Sequence, residues 1–323
     1  MTRTEYTQAK GKYLAFLPSS KADSVNTLKN YMRVLNDFEK YLTEKICNEN
    51  GISTVDVLGY RAAIRERGAA QNTARQYLTD LSAFFAWCVR VKLIEENPVM
   101  PDDIPEQKDI EYTLLTRAEI DALFEYRPTG AKLGARNRAI IIMLLQSGLR
   151  NSELRALTLS DLDFERGEIT VRHGKGDKSR LAPFPALSRE AVKEYLTSGY
   201  RASDAPESAY LFGTYANENG KSNGENAQEW HEIGSNALND IVKRYVKHVT
   251  GKEVHAHTLR HAAASLWDDL GAPMRTIQNG LGHASVRTTE RIYVTVLNKH
   301  KAAEDLTAAL DGNKTRNDFY TEG

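Results

Sequence analysis

Cysteine is almost absent from this chain, which has two cysteines, Cys47 and Cys88, among 323 residues. Both lie in apolar helical patterns, so we expect buried free thiols and neither a disulfide nor a cysteine metal site. No apolar run approaches the roughly 18 residues that would span a bilayer. The N-terminus lacks the charged start, apolar stretch and cleavage site of a signal peptide. We therefore expect a soluble, cytoplasmic protein that does not contact a membrane.

An excess of charge of one sign is also missing, because 43 Lys and Arg residues balance 43 Asp and Glu residues. This balance argues mildly against nucleic-acid binding, since domains with that function tend to be basic. Positive charge is nevertheless concentrated in residues 172–180, where four Lys or Arg residues and one histidine accompany a single aspartate. Local basic surfaces can coexist with global neutrality. A nucleic-acid function must therefore be argued from motifs.

Helical periodicity dominates the first hundred residues. Apolar side chains recur every three or four positions, as on one face of a helix. This pattern predicts helices over 24–42, 55–67 and 71–92. Helices with one apolar stripe pack into bundles, so we predict a helical domain over 1–97. The proline-rich, acidic segment 98–112 has no periodicity and predicts an interdomain linker.

The remainder of the chain, 113–323, has a mixed pattern. Residues 138–147 are too apolar for a surface helix and predict a buried one that ends or bends at Gly148. Alternating residues on both sides of a glycine-rich turn predict a β-hairpin over 168–184. The rest is predicted to be helical around a polar loop at 217–229. We expect a mainly α protein with a small β-hairpin or sheet, and a C-terminal α+β domain.

Six side chains in this second domain can bind phosphate or transfer a proton. They are Arg150 in SGLRNSEL, Lys175 in HGKGDKSR, His257 and Arg260 in HTLRH, His283 in GLGHAS, and Tyr293 in TTERIYVTV. Guanidinium groups match phosphate oxygens and stay charged. A tyrosine becomes a nucleophile when nearby cations lower its pKa or a base takes its proton. No trio of carboxylates offers to hold Mg²⁺, so the set indicates metal-free attack of a tyrosine on a phosphodiester.

Each member alone has a simpler interpretation. An arginine at a helix start is usually a surface ion-pair partner, a histidine on a helix is usually a core residue, and Tyr293 between Ile292 and Val294 fits a core aromatic. The chain also has four histidines in this region, at positions 255, 257, 261 and 283. A zinc site among them is disfavoured, because no cysteine joins them and Arg260 would lie among the ligands. We expect no metal and no other cofactor.

The ordered motifs resemble those of the tyrosine recombinase (phage integrase) family, especially its Xer-like two-domain members, and the resemblance covers nearly the whole chain. It implies that the six side chains above are catalytic, with Glu153 and His261 in supporting roles. Two local departures, Ala262-Ala263 after His261 and Asn279-Gly280 before Leu281, concern packing and not chemistry. The N-terminal segments NTLKNYMRVLNDFEKYL and NTARQYLTDLSAFFAW are similar to the family's core-binding domain, which clamps DNA.

The resemblance also implies a mechanism. Tyr293 would form a 3′-phosphotyrosine while Arg150 and Arg260 hold the non-bridging oxygens. Lys175 would protonate the leaving 5′-oxygen, His257 would act as general base or support the phosphate, and His283 would hydrogen-bond to the phosphate. Strand exchange between two sites through a Holliday junction would serve Xer-like resolution or integration and excision of a mobile element.

The implied partner is double-stranded DNA with an inverted-repeat core, bound by a homotetramer on paired sites, with a second recombinase or accessory factor as an option. A helix at 299–310 would pack on the next protomer, or alternatively on its own domain. Expected DNA contacts are Lys29, Arg33, Asn72, Arg75, Lys178, Arg180 and Arg287. Ordinary solvated surface charge is the alternative for each of them.

Two other functions fit parts of the pattern. A type IB topoisomerase-like or telomere-resolving enzyme shares the tyrosine chemistry, but the compact length and short N-terminal domain argue against it. A catalytically silent DNA-binding module, such as an accessory directionality protein, would not need all six side chains. If Tyr293 were not the nucleophile, Tyr320 would be the tyrosine to test.

Overall fold

A computed structural model of the chain describes residues 1–20, 25–45, 51–108, 113–172, 179–201, 205–216 and 229–282. The chain divides into two compact units, Met1–Glu111 and Tyr112–Gly323. Each unit has its own apolar core. The described residues are mainly helical with two small antiparallel sheets, which confirms the predicted fold class. None of the described helices is long and apolar enough to cross a membrane.

The described residues of the N-terminal unit form four α-helices. They are α1 (Arg3–Ser20), α2 (Val25–Lys45), α3 (Thr54–Glu66) and α4 (Gln71–Arg90). The last three confirm the helices predicted from apolar periodicity. Cys88 on α4 is a buried free thiol, as predicted, whereas Cys47 lies outside the described residues.

Helix α1 lies in the region predicted to be helical, but the sequence analysis did not assign it as a separate helix. Its buried residues are Tyr6, Ala9, Tyr13 and Leu17, at spacings of three and four, which is the spacing of one helix face. Two of these four positions are tyrosines, whose hydroxyl groups obscure an apolar stripe. The Tyr6 hydroxyl donates a hydrogen bond to the Leu35 carbonyl at 3.0 Å, so the polar end of this buried ring has a partner.

The described part of the predicted linker packs against the N-terminal unit. Val99 is buried in that unit's core, and the Asn97 side-chain amide donates to the Ser82 carbonyl at 3.0 Å. Residues Pro101–Asp103 form a short 3₁₀ turn. Residues 98–108 therefore pack as part of this unit, and the exact domain bounds stay a prediction.

The C-terminal unit contains seven helices among its described residues. They are α5 (Arg117–Glu125), α6 (Ala131–Ser147), α7 (Asn151–Ala156), α8 (Ala186–Thr197), α9 (Ser235–Thr250), α10 (Ala256–Asp269) and α11 (Met274–Leu281). Residues 139–145 of α6 are completely buried, which confirms the predicted core helix. Gly148 ends α6 in the left-handed conformation, with φ of 58°, where glycine carries no Cβ penalty.

The predicted hairpin is present as part of a three-stranded antiparallel sheet. Its strands are β1 (Leu162–Asp163), β2 (Glu168–Val171) and β3 (Arg180–Pro183), in the order β1-β2-β3. Val171 pairs with Arg180 across the hairpin. The connecting residues 173–178 lie outside the described part of the chain.

A second hairpin was not predicted. Strands β4 (Gly213–Ala216) and β5 (Glu229–Glu232) pair antiparallel, so the expectation of only helices around the polar loop was wrong. The Tyr215 and Trp230 rings pack edge to face with centroids 4.9 Å apart. Strands of four residues give too short a pattern to stand out beside a polar loop.

Candidate active site

Arg150 stands where one buried helix ends and the next begins. It is the N-cap residue of α7, two residues after the left-handed Gly148. Its backbone N–H donates to one carboxylate oxygen of Glu153 at 2.7 Å, and its Nη1 donates to the other at 2.5 Å. Its Nη2 donates to the Gly282 carbonyl at 2.8 Å. About a quarter of the Arg150 side chain, 24%, remains exposed, so it can present N–H groups to a ligand.

Arg260 and His257 lie on α10, three residues apart. The Arg260 side chain is almost fully buried, and Nη1 donates to the Gly148 carbonyl at 2.5 Å while Nη2 donates to the Leu281 carbonyl. A guanidinium has five N–H groups, so these two bonds leave three for other acceptors. Burial and the nearby Arg150 charge lower the pKa of Arg260 to about 9, which still leaves it protonated at neutral pH.

His257 is exposed beside Arg260, whereas His261 is buried one turn further along the helix. Their rings pack edge to face with centroids 4.3 Å apart. Protein atoms that partly shield His257 from water, and the positive charges of Arg260 and Arg150, lower its pKa below the ordinary histidine value. His257 is therefore neutral near pH 7, the form that can accept a proton.

Glu153 connects the basic groups of this site. Its side chain is 2% exposed, and its Oε2 lies 3.7 Å from Arg260 Nη1. Burial acts to raise the pKa of this carboxyl, but hydrogen bonds from Arg180 and from the Arg150 backbone outweigh it, and the pKa is lowered. The carboxylate is therefore ionised between three guanidinium groups, which fits the predicted supporting role of Glu153.

Arg180 also belongs to this cluster, although the sequence analysis did not include it among the residues of the site. It begins β3, and its two terminal nitrogens donate to the two oxygens of Glu153 at 2.7 and 2.9 Å. The sequence suggested a DNA contact, because Arg180 belongs to the basic stretch of the hairpin. No local pattern could reveal its pairing with Glu153, which lies 27 residues earlier.

The structure thus brings together Arg150, Glu153, His257, Arg260 and His261. Lys175, His283 and Tyr293 lie outside the described residues, as do Lys178, Arg287, Tyr320 and the predicted helix 299–310. Their positions and roles stay predictions. In the part of the chain that the structure describes, no group of three or more His, Cys, Asp or Glu side chains has the arrangement of a metal site.

Two predicted DNA-contacting residues lie on the exposed surface of α2. Lys29 and Arg33 are both exposed. Arg33 Nη1 donates to the Tyr77 hydroxyl at 2.8 Å, and its guanidinium lies 4.8 Å from the centroid of that ring. Stacking on Tyr77 leaves donors of Arg33 available to solvent or to a phosphate.

Asn72 and Arg75, two further predicted DNA contacts, lie on α4 and bind the segment that follows the helical domain. Asn72 exchanges hydrogen bonds with the backbone of Lys108, at 2.8 and 2.9 Å. Arg75 Nη1 donates to the Pro105 carbonyl at 2.6 Å. These side chains position residues 105–108 on the N-terminal unit, and their DNA contacts stay predictions.

Comparison with known proteins identifies the family. Residues 113–300 match the phage integrase family, and residues 11–94 match the phage integrase N-terminal SAM-like domain. A tyrosine recombinase XerC from Bacillus licheniformis is 29% identical over 280 residues, covering 86% of this chain and 88% of that protein. A tyrosine recombinase XerC from Syntrophus aciditrophicus is 30% identical over 299 residues, covering 87% and 91%.

A solved structure has the same fold. It is the Tn1549 transposon integrase in complex with transposon right end DNA, at 20% identity and a TM-score of 0.68, covering 96% of this chain and 100% of that chain. The two family matches cover most of this chain. One falls in the predicted helical region, and the other in the predicted region of mixed helices and strands. The chain therefore belongs to the phage integrase family of tyrosine recombinases, enzymes that cleave and rejoin DNA.

Proposed function

We propose that this protein is a site-specific recombinase that cleaves DNA with Tyr293 and rejoins it to a partner strand. The observation that carries this proposal is the convergence of Arg150 and Arg260 on Glu153, with His257 near enough to both arginines for their charges to lower its pKa. Two arginines provide charge for the oxygens of a phosphodiester, and a neutral histidine beside them provides a proton acceptor.

In the cleavage step the Tyr293 oxygen bonds to the scissile phosphorus, and the bond from phosphorus to the 5′-oxygen breaks. His257 accepts the phenolic proton, and Lys175 gives a proton to the leaving 5′-oxygen. The products are a 3′-phosphotyrosine and a free 5′-hydroxyl. The low pKa of His257 supports its role, because a proton acceptor must be neutral before the reaction.

The remaining groups stabilise the phosphate in this step. Arg150 and Arg260 neutralise the non-bridging oxygens, and His283 donates a hydrogen bond to the phosphate. Charge on those oxygens increases as the tyrosine adds, so fixed donors act most strongly in the transition state. No metal ion is needed in this scheme, because guanidinium groups supply the positive charge.

Rejoining reverses the same chemistry. The 5′-hydroxyl of a partner strand attacks the phosphotyrosine, the bond between phosphorus and the Tyr293 oxygen breaks, and the tyrosine regains its proton. The intermediate preserves the energy of the phosphodiester, so ATP is not required. Two rounds of exchange between paired sites pass through a Holliday junction.

The assembly that fits this reaction is a homotetramer on two double-stranded sites with inverted-repeat cores. A helix at 299–310 packed on the neighbouring protomer would link the subunits, and a second recombinase or accessory factor could complete the complex. The biological role is Xer-like resolution or movement of a mobile element, and a DNA substrate favours the cytoplasm as its place of action. Lys29, Arg33, Lys178 and Arg287 are proposed phosphate contacts.

The first experiment defines the DNA site and tests the nucleophile. Tyr293→Phe protein would be used to select binding sequences from randomised duplexes. The selected duplex, nicked beside the cleavage position so that the freed fragment diffuses away, then traps any covalent intermediate. Wild-type protein and Tyr320→Phe should become attached to the 3′ end of the cut strand, whereas Tyr293→Phe should bind equally but form no adduct.

Three results would contradict the proposal. An adduct formed by Tyr293→Phe would exclude this tyrosine as the nucleophile. Loss of cleavage in EDTA with recovery in Mg²⁺ would exclude the metal-free mechanism. Relaxation of supercoiled DNA without transfer to a partner strand would indicate topoisomerase-like chemistry instead of recombination.

A further inference from the structure

Among the residues that the structure describes, Arg180 donates three hydrogen bonds. Its terminal nitrogens donate to the two Glu153 oxygens at 2.7 and 2.9 Å, and its Nε donates to the Gly280 carbonyl at 3.0 Å. The Arg180 side chain is only 11% exposed. This paired arrangement of a guanidinium on a carboxylate is the strong, geometrically specific form of the ion pair.

Glu153 in turn holds Arg150. One Glu153 oxygen accepts from both Arg150 Nη1 and Arg180 Nη1, and the other accepts from the Arg150 backbone and from Arg180 Nη2. Each oxygen is therefore fixed from both sides. Arg180 adds a second hydrogen bond to each oxygen, so the carboxylate that holds the Arg150 guanidinium is fixed more firmly than by Arg150 alone.

The same guanidinium fixes the end of α11. Three consecutive carbonyls at this end, of Gly280, Leu281 and Gly282, accept from Arg180, Arg260 and Arg150 in turn. Carbonyls at a helix C-terminus lack intrahelical partners and favour positive charge. Arg180 therefore joins three elements, β3, α7 and α11.

The close approach of Arg180 to α11 requires glycine. A Cβ on Gly282 would lie 2.7 Å from Arg180 Cδ and 3.0 Å from its Nε, and Gly282 has φ of 63°. A side chain at this position would displace the guanidinium and would also be strained. Glycine at position 282, with its positive φ, therefore leaves the space that the Arg180 side chain occupies.

We infer that Arg180 is a positioning residue of the recombination reaction, which holds Arg150 in place through Glu153 and fixes the end of α11 through Gly280. This inference rests on the proposed function. It replaces the predicted DNA contact with a role inside the site. The lowered pKa of Glu153 supports it, because the Arg180 hydrogen bond is the largest influence that opposes the effect of burial.

The first test separates positioning from DNA contact. Arg180→Lys and Arg180→Met would be compared with Arg166→Met, which removes an arginine with a 78% exposed side chain from the same sheet region. Affinity for the selected duplex would be measured against salt concentration. A positioning residue leaves affinity and salt slope unchanged in all three variants. A phosphate contact would lower the slope by about 0.9 in Arg180→Met and preserve it in Arg180→Lys.

The second test measures the single-turnover rate of adduct formation on the nicked duplex. We expect Arg180→Met to be about 10- to 100-fold slower than wild type, because a small misplacement of catalytic groups has effects of this size. Arg180→Lys should also be slower, since an ammonium keeps the charge but cannot form the paired bonds. Arg166→Met should react at the wild-type rate.

A pH profile shows whether Arg180 acts through Glu153. Without Arg180 the pKa of the buried carboxyl rises, so Glu153 takes up a proton at higher pH and releases Arg150. The rate of Arg180→Met should therefore fall on acidification at a pH where the wild-type rate is still constant. The double variant Glu153→Gln/Arg180→Met should lack this acidic decline.

These experiments distinguish failure of the positioning role of Arg180 from failure of the proposed function. If wild-type protein forms no adduct through Tyr293, the proposed function is wrong. If wild type forms the adduct and Arg180→Lys matches its rate, or if affinity falls with the rate, the positioning role is wrong. Because Arg180→Lys preserves the charge, it decides the question even if Arg180→Met fails to fold, as judged by circular dichroism.

Discussion

His257 shows how a single residue obtains its chemistry from its surroundings. A histidine on the exposed face of a helix is ordinarily protonated below a pH of about 6.5. Partial shielding from water and the charges of Arg260 and Arg150 lower the pKa of His257. The arginines that would bind the phosphate therefore also keep the proposed base in its neutral form.

This environment predicts the pH dependence of cleavage. The reaction needs neutral His257, so the rate with subsaturating DNA, which reports the free enzyme, should decline only below the ordinary histidine pKa. His257→Gln should react more slowly and lose this decline. The rate would be measured by single-turnover cleavage across pH 5 to about 8.

His248 offers a matched control for this measurement. It is exposed on α9 and is not part of the arginine cluster. His248→Gln should keep the wild-type profile. A wild-type profile that already declines above the ordinary histidine pKa would contradict the assignment of His257 as the base.

At the scale of elements, glycine allows the end of α6 to pack closely against α11. A Cβ on Gly148 would lie 2.8 Å from Leu281 Cδ2 and 3.0 Å from the Trp267 ring. Gly280 approaches the same ring, where a Cβ would lie 2.8 Å from Trp267 Cζ3. This contact explains why glycine precedes Leu281, at one of the two positions where the chain departs from the family motifs.

Substitution at Gly148 should separate backbone strain from packing. Gly148 and Gly251 both end helices with positive φ, 58° and 75°, but a Cβ on Gly251 would have no atom within 4 Å. We expect Gly251→Ala to lower the free energy of unfolding by about 1 kcal/mol. Gly148→Ala should cost about 1–3 kcal/mol more, because overpacking adds to the strain.

Urea unfolding of the full chain measures this difference. Gly148→Ala should also slow cleavage, because the carbonyls of Gly148 and Leu281 hold Arg260. Equal losses of stability in the two variants would show that the side chains between α6 and α11 can move to accommodate the added Cβ without a further loss of stability.

The helices that the sequence predicted with their bounds share one property, which is a long apolar pattern. Helices α2, α3, α4 and α6 all have such a pattern. Helix α1 was not assigned because two of its four buried positions are tyrosines. Strands β2 and β3 have four residues each and were predicted from the glycine-rich turn between them, whereas β4 and β5, equally short, flank the long polar stretch 217–228 and were missed. The motifs identified Arg150, His257 and Arg260, but the role of Arg180 depends on a tertiary contact that no local pattern encodes.

At the scale of the whole molecule, the two units have separate apolar cores. The N-terminal core consists of residues from α1 to α4 and the segment up to Ile104, and includes the paired rings of Tyr6 and Phe38, 5.5 Å apart. The C-terminal core begins at Leu115. A separate core is the property that allows a unit to fold alone.

We therefore expect a fragment of residues 1–111 to fold by itself. It should give a helical circular dichroism spectrum and unfold cooperatively in urea. A second fragment, 21–111, lacks α1 and so loses the buried Tyr6, Tyr13 and Leu17, and it should be much less stable. An unfolded 1–111 fragment would show that this unit depends on the rest of the chain.

Glu153 also sets the net charge of the arginine cluster that surrounds it. Three guanidinium groups, those of Arg150, Arg180 and Arg260, surround one carboxylate, so three positive charges and one negative charge leave two positive charges. A phosphodiester carries one negative charge, and it gains a second when an ionised tyrosine adds to the phosphorus. The cluster of three arginines and Glu153 thus attracts the doubly charged pentacoordinate species more strongly than the singly charged bound substrate, a difference that favours the transition state over the ground state.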